Sequence, residues 1–251
     1  MVKIIMHGCN GKMGQVISGL VAQDDECEIV AGVDIADNIT NPYPVFTNID
    51  EMNIEADAVI DFSVSASVDK LLEYCESKKL PLVLCTTGLS EAQLQKVKDT
   101  SKNIPILKSA NMSLGINTLI KLLKEATKIL ATEGFDIEIV ERHHNQKLDA
   151  PSGTALALAD AINEELDNEY AYKFDRSQER VKRAKKEIGI SAVRGGNIVG
   201  DHDVIFAGTD EVIEINHKAY SKAIFAKGAI AAAKFLAGKP AGMYDMSNVI
   251  D

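Results

Sequence analysis

The sequence lacks tryptophan, holds only six prolines, and contains no apolar run long enough to span a bilayer. With no secretory leader pattern at its start either, the chain is expected to work in the cytoplasm rather than in or beyond a membrane. Its four cysteines, Cys9, Cys27, Cys75 and Cys85, form no CxxC pair and no zinc-ligand spacing. That excludes a disulfide scaffold and agrees with a reducing compartment. Positive charge is also scarce, with 27 Lys and Arg against 37 Asp and Glu and a formal net charge of −10. A field of that sign repels phosphate backbones and anionic lipid, so neither nucleic acid nor a membrane is an expected partner.

What remains is an ordinary globular composition. Apolar residues make up 46% and charged residues 25% of 251 positions, which removes disordered and collagen-like classes and leaves one large or two modest domains. In an acidic chain, basic residues near a candidate site become informative. The six between Arg176 and Lys186 are flanked by Glu179 and Glu187 with no aromatic between them, and read as a solvated helix face or mobile loop without assigned function.

The first half alternates short apolar runs with amphipathic stretches, the pattern of βα units around a parallel sheet. Strands are expected at 3–7, 28–33, 58–62, 82–86 and 104–107, and helices near 12–23, 65–78 and 90–101, the last opened by Ser90 and Gln93 as a capping box. After Asn111 the texture changes. A long helix near 114–131 precedes a strand at 135–142 in which Phe135, Ile137 and Ile139 alternate with Asp136 and Glu138, and a second helix is expected over 153–166. Strands at 188–193, 203–206 and 211–216 suit an antiparallel or mixed sheet, and the alanine-rich helix over 222–237 could return the chain to the first domain. The expected class is α/β: an N-terminal Rossmann-like doubly wound parallel sheet, residues 1–112 and 223–251, plus a smaller α+β domain with a mixed sheet, residues 113–222.

Gly8-Cys9-Asn10-Gly11-Lys12-Met13-Gly14 follows the first strand and opens the first helix. Glycine permits the sharp turn, lets backbone approach a pyrophosphate and allows the helix to pack on the strand, while the helix N-terminal amides face the anion. Asp34 ends the second strand 20 residues after Gly14, where a carboxylate accepts hydrogen bonds from adenine ribose hydroxyls. This context predicts a nicotinamide dinucleotide. Because no Lys or Arg lies between Lys12 and Lys70, only Lys12 is expected to offer charge to a 2′-phosphate, so NADH is preferred and NADPH tolerated. Phe62 and Thr86-Thr87-Gly88 follow the third and fourth strands, where they either line the nicotinamide or serve as a core aromatic and an ordinary turn. Cys9 reads as a turn residue rather than a nucleophile.

A second constellation runs from Glu141 to Thr154. His143 and His144 point to opposite strand faces and lack an HExxH or cysteine partner, so a shared metal is not expected. Pro151, Ser152 and Gly153 suit a helix start whose free amides at Gly153 and Thr154 make a carboxylate site, with Lys147 adding charge. A histidine and a lysine are the usual groups for giving a proton while a nicotinamide delivers hydride, which marks His143 and Lys147 as candidate donors.

Together GCNGKMG (8–14), CTTG (85–88), ANMSLGIN (110–117), ERHHNQKLDAPSGTA (141–155) and RGGNIVGDH (194–202) resemble the 4-hydroxy-tetrahydrodipicolinate (dihydrodipicolinate) reductase family of bacterial lysine and diaminopimelate synthesis, over essentially the whole chain. The resemblance implies a homotetramer with a Rossmann domain and a substrate and tetramerisation domain, reducing a cyclic dicarboxylate to tetrahydrodipicolinate. By motif it makes His143 and Lys147 proton donors, sets His144, Gly153 and Thr154 against substrate carboxylates, and sets Gly8, Cys9, Asn10, Gly11, Lys12, Met13, Asp34, Cys85, Thr86, Thr87, Ala110, Asn111 and Met112 against the cofactor. Lys12 matches the basic residue common in the family's turn. Many members follow the acidic ribose ligand with Arg or Lys where this chain has Ile35, and some carry Arg where it has Lys222. The rival readings are another two-domain nicotinamide oxidoreductase and a non-catalytic NADH sensor.

Overall fold

Ile4, Ile5 and Met6 have no exposed surface, so the strand that carries them is covered on both faces, as in the middle of a parallel sheet. The computed structural model describes residues 1–250. Its first strand, β1 (Val2–His7), is followed by α1 (Lys12–Val21), β2 (Cys27–Val33), β3 (Val45–Phe46), β4 (Ala58–Asp61), α2 (Ser65–Lys78), β5 (Leu82–Leu84), α3 (Glu91–Thr100) and β6 (Pro105–Leu107). The next elements are α4 (Leu114–Leu130), β7 (Asp136–His143), α5 (Gly153–Glu164), β8 (Ala171–Lys173), β9 (Glu187–Arg194), β10 (Gly200–Ala207) and β11 (Val212–Ala219). The chain ends in α6 (Ala223–Leu236), β12 (Gly242–Tyr244) and α7 (Met246–Ile250). Two compact units result: Met1–Leu114 with Ala223–Asp251, and Gly115–Lys222.

In the first unit seven parallel strands lie in the order β12-β6-β5-β4-β1-β2-β3. Alternation along each strand feeds two cores. Ile4, Met6, Ile60, Val83 and Leu107 pack with Ile17 of α1 and the small residues Ala226, Ala229, Ala232 and Ala233 of α6. Ile5, Val59, Leu82, Leu84 and Ile106 pack on the other face with Val68, Leu71 and Leu72 of α2 and Val97 of α3. Both faces are therefore helix-covered, and the strand order reverses direction between β1 and β4, the switch point at which open α/β sheets bind ligands. Ser90 and Gln93 form both hydrogen bonds of the capping box.

The second unit holds a mixed sheet in the order β11-β10-β7-β9-β8, antiparallel across β11-β10-β7 and parallel across β7-β9-β8. Its core joins Ile137, Ile139, Ile188, Ile190, Val204 and Phe206 to Ile116, Leu119 and Leu123 of α4 and Ala155, Leu158 and Ile162 of α5. Of the two alternatives read for the arginine-rich run, a helix face or a loop, the structure has the loop, nearly all of it exposed. Residues 174–186 form neither helix nor strand, and Arg183 donates to Asp136 at 2.8 Å, to Glu138 at 3.0 Å and to the carbonyl of Ile137 at 3.0 Å, while Arg176 pairs with Glu138 at 2.8 Å and with Glu187. Strands β3, β8 and β12 are two or three residues long, too short to carry a period of their own.

One glycine of α6 decides how closely that helix sits. A Cβ at Gly228 would lie 1.6 Å from the carbonyl oxygen of Met112. Alanine is the better helix former by about 1 kcal/mol, yet the overlap is with backbone that cannot swing aside. Gly228→Ala is therefore expected to lower the urea midpoint despite its propensity gain, and a midpoint equal to or above that of the parent would refute this packing.

Candidate active site

At the end of β1 the chain turns at Gly8, whose φ of 82° favours glycine. A Cβ there would meet the Phe62 carbonyl oxygen at 2.6 Å, and one at Gly14 would meet the Gly8 oxygen at 2.2 Å. The turn is thus pressed between β4 and α1 by backbone alone. Asn10 N–H donates to one oxygen of Asp34 and Ile35 N–H to the other, both at 2.8 Å, while the Asn10 side-chain amide donates to the Ala36 carbonyl at 2.6 Å. Asp34 thereby joins the glycine-rich turn to the end of β2, and each of its oxygens keeps lone-pair capacity for a further donor.

Beside this turn lies a cavity of about 500 Å³, lined by Gly8, Asn10, Gly11, Asp34, Ile35 and Phe62 among others. Sequence reasoning missed Lys70 in the same lining, carried in by α2, with Nζ 2.6 Å from Asn48 Oδ1 and 2.8 Å from Asp50. The expectation that Lys12 alone could offer charge is corrected on this point: Lys12 is exposed and outside that lining, and Lys70 is inside it. Spacing along the chain cannot show that Lys70, 36 residues after Asp34, folds back beside it. Ile35 stands 92% exposed at the rim, with no basic group of its own to present.

Other candidates in this unit act through main chain or as support. Cys9 is fully buried, and burial first, then the charge of Asp34, pushes its thiol up to about 11, which fits a turn residue and not a nucleophile. Met13 packs against the core, Met112 lies within it, and Cys85, half-buried, has a thiol held well above its ordinary range by burial. Thr86 is buried with its hydroxyl committed to Asp61 at 2.6 Å; Thr87 and Ala110 are exposed, and the Asn111 side-chain oxygen accepts from Ser113 N–H at 2.8 Å. Asp61, at the end of β4, has no exposed surface and also receives His7 Nδ1 at 2.7 Å and the Ser63 hydroxyl at 2.6 Å.

In the second unit, β7 continues its inward alternation beyond the apolar residues. Ile137, Ile139, Glu141 and His143 all face the helix-covered side, and all are buried. The two polar members need partners there. His143 Nδ1 lies 2.7 Å from Glu141, while Arg194, from the end of β9, donates to both Glu141 oxygens at 2.8 Å. The fourth donor is Ser152 N–H, at 2.9 Å, just before α5. Burial pushes the Glu141 carboxyl up, but hydrogen bonds from Arg194, His143 and Ser152 outweigh it and hold it below the usual carboxylate range. His202 of β10 pairs in register with Glu141 and with His217 of β11; its ring sits edge-on to His143 at 5.2 Å between centroids, and its Nε2 is 3.2 Å from the Ser152 hydroxyl. His202 lay within the last recognised motif yet was given no role, because a register pairing is not readable from spacing.

The segment after β7 brings Lys147 and the start of α5 together. Lys147 Nζ is 2.8 Å from the Asp149 carboxylate, so the lysine expected to meet an anion at this corner faces one supplied by the chain itself. The Lys147 contact first, with the backbone amides adding, holds Asp149 below its usual range. His144 and Thr154 are half-buried alongside. Among the described residues, no group of three or more His, Cys, Asp and Glu is arranged to hold a metal ion, and no helix is long and apolar enough to cross a membrane.

A doubly wound parallel sheet with a glycine-rich first turn and an acidic end to β2 is a dinucleotide-binding unit of the kind nicotinamide oxidoreductases carry, here joined to an α+β unit that holds His143, Lys147 and the start of α5. Comparison with known proteins narrows the class. The dihydrodipicolinate reductase N-terminal family matches residues 2–112 and the C-terminal family residues 115–250. The chain is 53% identical to the 4-hydroxy-tetrahydrodipicolinate reductase of Clostridium tetani, over 100% of this chain and 98% of that one. It is 47% identical to that of Staphylococcus epidermidis, over 95% and 97%. Among solved structures, a dipicolinate-bound dihydrodipicolinate reductase from Paenisporosarcina sp. TG-14 superposes with a TM-score of 0.83 at 24% identity, covering both chains fully. The chain belongs to the dihydrodipicolinate reductase family.

Burial and the neighbouring His143 pull the His202 imidazole down to about 4. Between that value and the ordinary 6.5, the unfolded chain binds the extra proton, so stability falls as pH drops through this window. Glu141 acts further into acid, its contribution present above its unfolded pKa and lost as pH falls through the lower folded value. The urea midpoint is expected to drop between pH 7 and pH 5, with His202 responsible for about 2 kcal/mol. In His202→Gln the drop should shrink by that amount; an identical drop in parent and variant would count against the assignment.

Proposed function

We propose that the chain reduces 4-hydroxy-tetrahydrodipicolinate to tetrahydrodipicolinate in the diaminopimelate route to lysine, with NADH preferred and NADPH tolerated. The observation that carries this reading is the Asp149 carboxylate 2.8 Å from Lys147 just ahead of the start of α5, which displays a carboxylate on the cation of that corner. The names of the full-length relatives support the substrate.

The pinched glycine turn fits a bound pyrophosphate, since Gly11 adds no side chain where helix amides face the anion, and the cavity beside it carries Asp34 for the ribose hydroxyls. When bound, the reduced nicotinamide supplies the hydride. On this reading Gly8 to Met13 hold the dinucleotide through main chain, with Phe62, Cys85 to Thr87 and Ala110 to Met112 completing its contacts. His144, Gly153 and Thr154 take the substrate carboxylates as the Asp149 side chain gives way. The 4-hydroxyl then leaves as water, the hydride goes to the electron-poor ring carbon, and Lys147 and His143 supply the one proton that this exchange consumes. The first unit with α6 is the dinucleotide-binding domain and the second the substrate and oligomerisation domain of a cytoplasmic homotetramer, whose association is supported by the exposed Val193 and Val212 of the mixed sheet.

The test is oxidation of NADH and NADPH by the purified protein, with substrate freshly made from pyruvate and aspartate semialdehyde by the preceding synthase. Synthase-dependent oxidation is expected, faster with NADH; none with either cofactor, despite binding, would favour the sensor reading. Lys147→Ala should lower turnover about 10²–10⁴-fold with little change in the KM for NADH, and near-normal turnover would sink the donor assignment. Since Lys70 is the basic side chain in the cavity lining, Lys70→Met is expected to raise the KM for NADPH several-fold more than that for NADH. Equal effects on the two cofactors would place the 2′-phosphate elsewhere.

A further inference from the structure

We propose that Glu141, clamped by Arg194, is a positioning residue that holds the donor His143 and the carboxylate-binding start of α5 in one fixed relation. The inference rests on the reading of His143 as a proton donor. No motif assigns Glu141 or Arg194 such a role, and neither reaches the reacting groups except through its neighbours.

Glu141 has no exposed surface, and its two oxygens take four donors from three parts of the unit. One oxygen accepts from His143 Nδ1 and one arm of Arg194, the other from Ser152 N–H and the second arm. The planar guanidinium fixes the carboxylate plane in a way that a lysine could not. With Glu141 ionised, the His143 proton is drawn to Nδ1, which fixes the ring tautomer and leaves Nε2 as the working nitrogen. That nitrogen approaches Gly200, where a Cβ would stand 3.1 Å away, so the ring has a bare backbone beside its working edge.

The same pair also governs the anion site. Through Ser152 N–H, Glu141 fixes the residue whose hydroxyl caps α5 by accepting from Ala155 N–H at 3.1 Å. Arg194 in turn donates to the Asp149 carbonyl at 2.6 Å, anchoring the turn that carries the Lys147 partner. One buried ion pair thus sets donor orientation and anion-site position together. A pair that served stability alone would have no reason to engage both.

The charged and titratable groups around His143 are Glu141 on its own strand, Arg194 on β9, His202 on β10, His217 on β11, and Lys147 with Asp149 in the following segment. Of these, Glu141 alone is an anion in direct contact with the ring, so replacing it removes the group that holds the ring proton on Nδ1.

Glu141→Gln keeps the shape and removes the charge. In the folded variant the His143 ring tautomer, read from its nitrogen shifts by NMR in the protein without ligands, is expected to become mixed where the parent holds the proton on Nδ1. The kcat of the variant should fall about 10- to 100-fold, the range for loss of a group that orients a functional histidine. The KM for the dicarboxylate should rise while that for NADH stays within about twofold, a split that general loosening would not produce. Arg194→Lys, which leaves the Glu141–His143 contact in place, should raise the dicarboxylate KM without changing the His143 tautomer. An unchanged His143 tautomer and unchanged kcat in folded Glu141→Gln would overturn the proposal, as would failure of both variants to fold. His143→Gln with parental turnover would instead overturn the donor reading; an inactive His143→Gln beside a fully active Glu141→Gln would overturn only the positioning role.

Discussion

A carboxylate removed wholly from water must be met by donors on each oxygen or give up its charge, and each unit of this chain is organised around one such group. Asp61 ends β4 in the parallel sheet and Glu141 lies one turn of alternation from the end of β7 in the mixed sheet, both without exposed surface. Each accepts from a histidine and from a residue in the segment that follows its strand: His7 and Ser63 for Asp61, His143 and Ser152 for Glu141. In both cases the carboxylate ties the end of a strand to the beginning of the next helix. The parallel is one of physics, since the two sheets differ in strand direction and topology.

The constraint explains why the sites lie where they do. Strand interiors satisfy their polar groups within the ladder and fill both faces with Ile, Val and Leu. Past the apolar residues the same inward direction persists, and a side chain there is at the edge of the helical layer, buried yet near the surface. His7, Asp61, Glu141 and His143 all occupy that position. A polar network there holds its members fixed through shared hydrogen bonds while leaving one edge of each histidine for further contact.

How much of this was legible in the sequence follows from the range of each interaction. The glycine turn, Asp34 and the run from Glu141 to Thr154 depend on contacts within a few residues or on a single βαβ unit, and their order survives in one dimension. The strands and helices around them were readable because their periods are long enough to repeat. Lys70, His202 and Arg194 are different: each enters its network from an element 22 to 61 residues away from a partner, as in the 22 residues between Lys70 and Asn48 or the 53 between Arg194 and Glu141. The distant partners of the arginine-rich run were out of reach for the same reason, since Arg176 and Arg183 pair with Glu138 and Asp136 of β7, which a linear charge count cannot register.

These pairings also show how an acidic protein can handle an acidic substrate. Its few cations near the sites are already matched: Lys147 by Asp149, Arg194 by Glu141, Lys70 by Asp50. Each of these pairs is locally neutral, so the cations neither repel one another nor stand open to stray anions. On the proposed reading, binding a carboxylate at Lys147 is an exchange, in which the Asp149 carboxylate leaves the lysine as another arrives. The two exposed partners, Asp149 and the incoming group, make nearly equal Coulombic contacts, so charge alone gives little preference. In that exchange discrimination falls to what Asp149 cannot supply, a second carboxylate and a ring presented to His143, the proposed donor. An acidic chain gains selectivity in this way, because a lone carboxylate finds the place already taken by the chain's own.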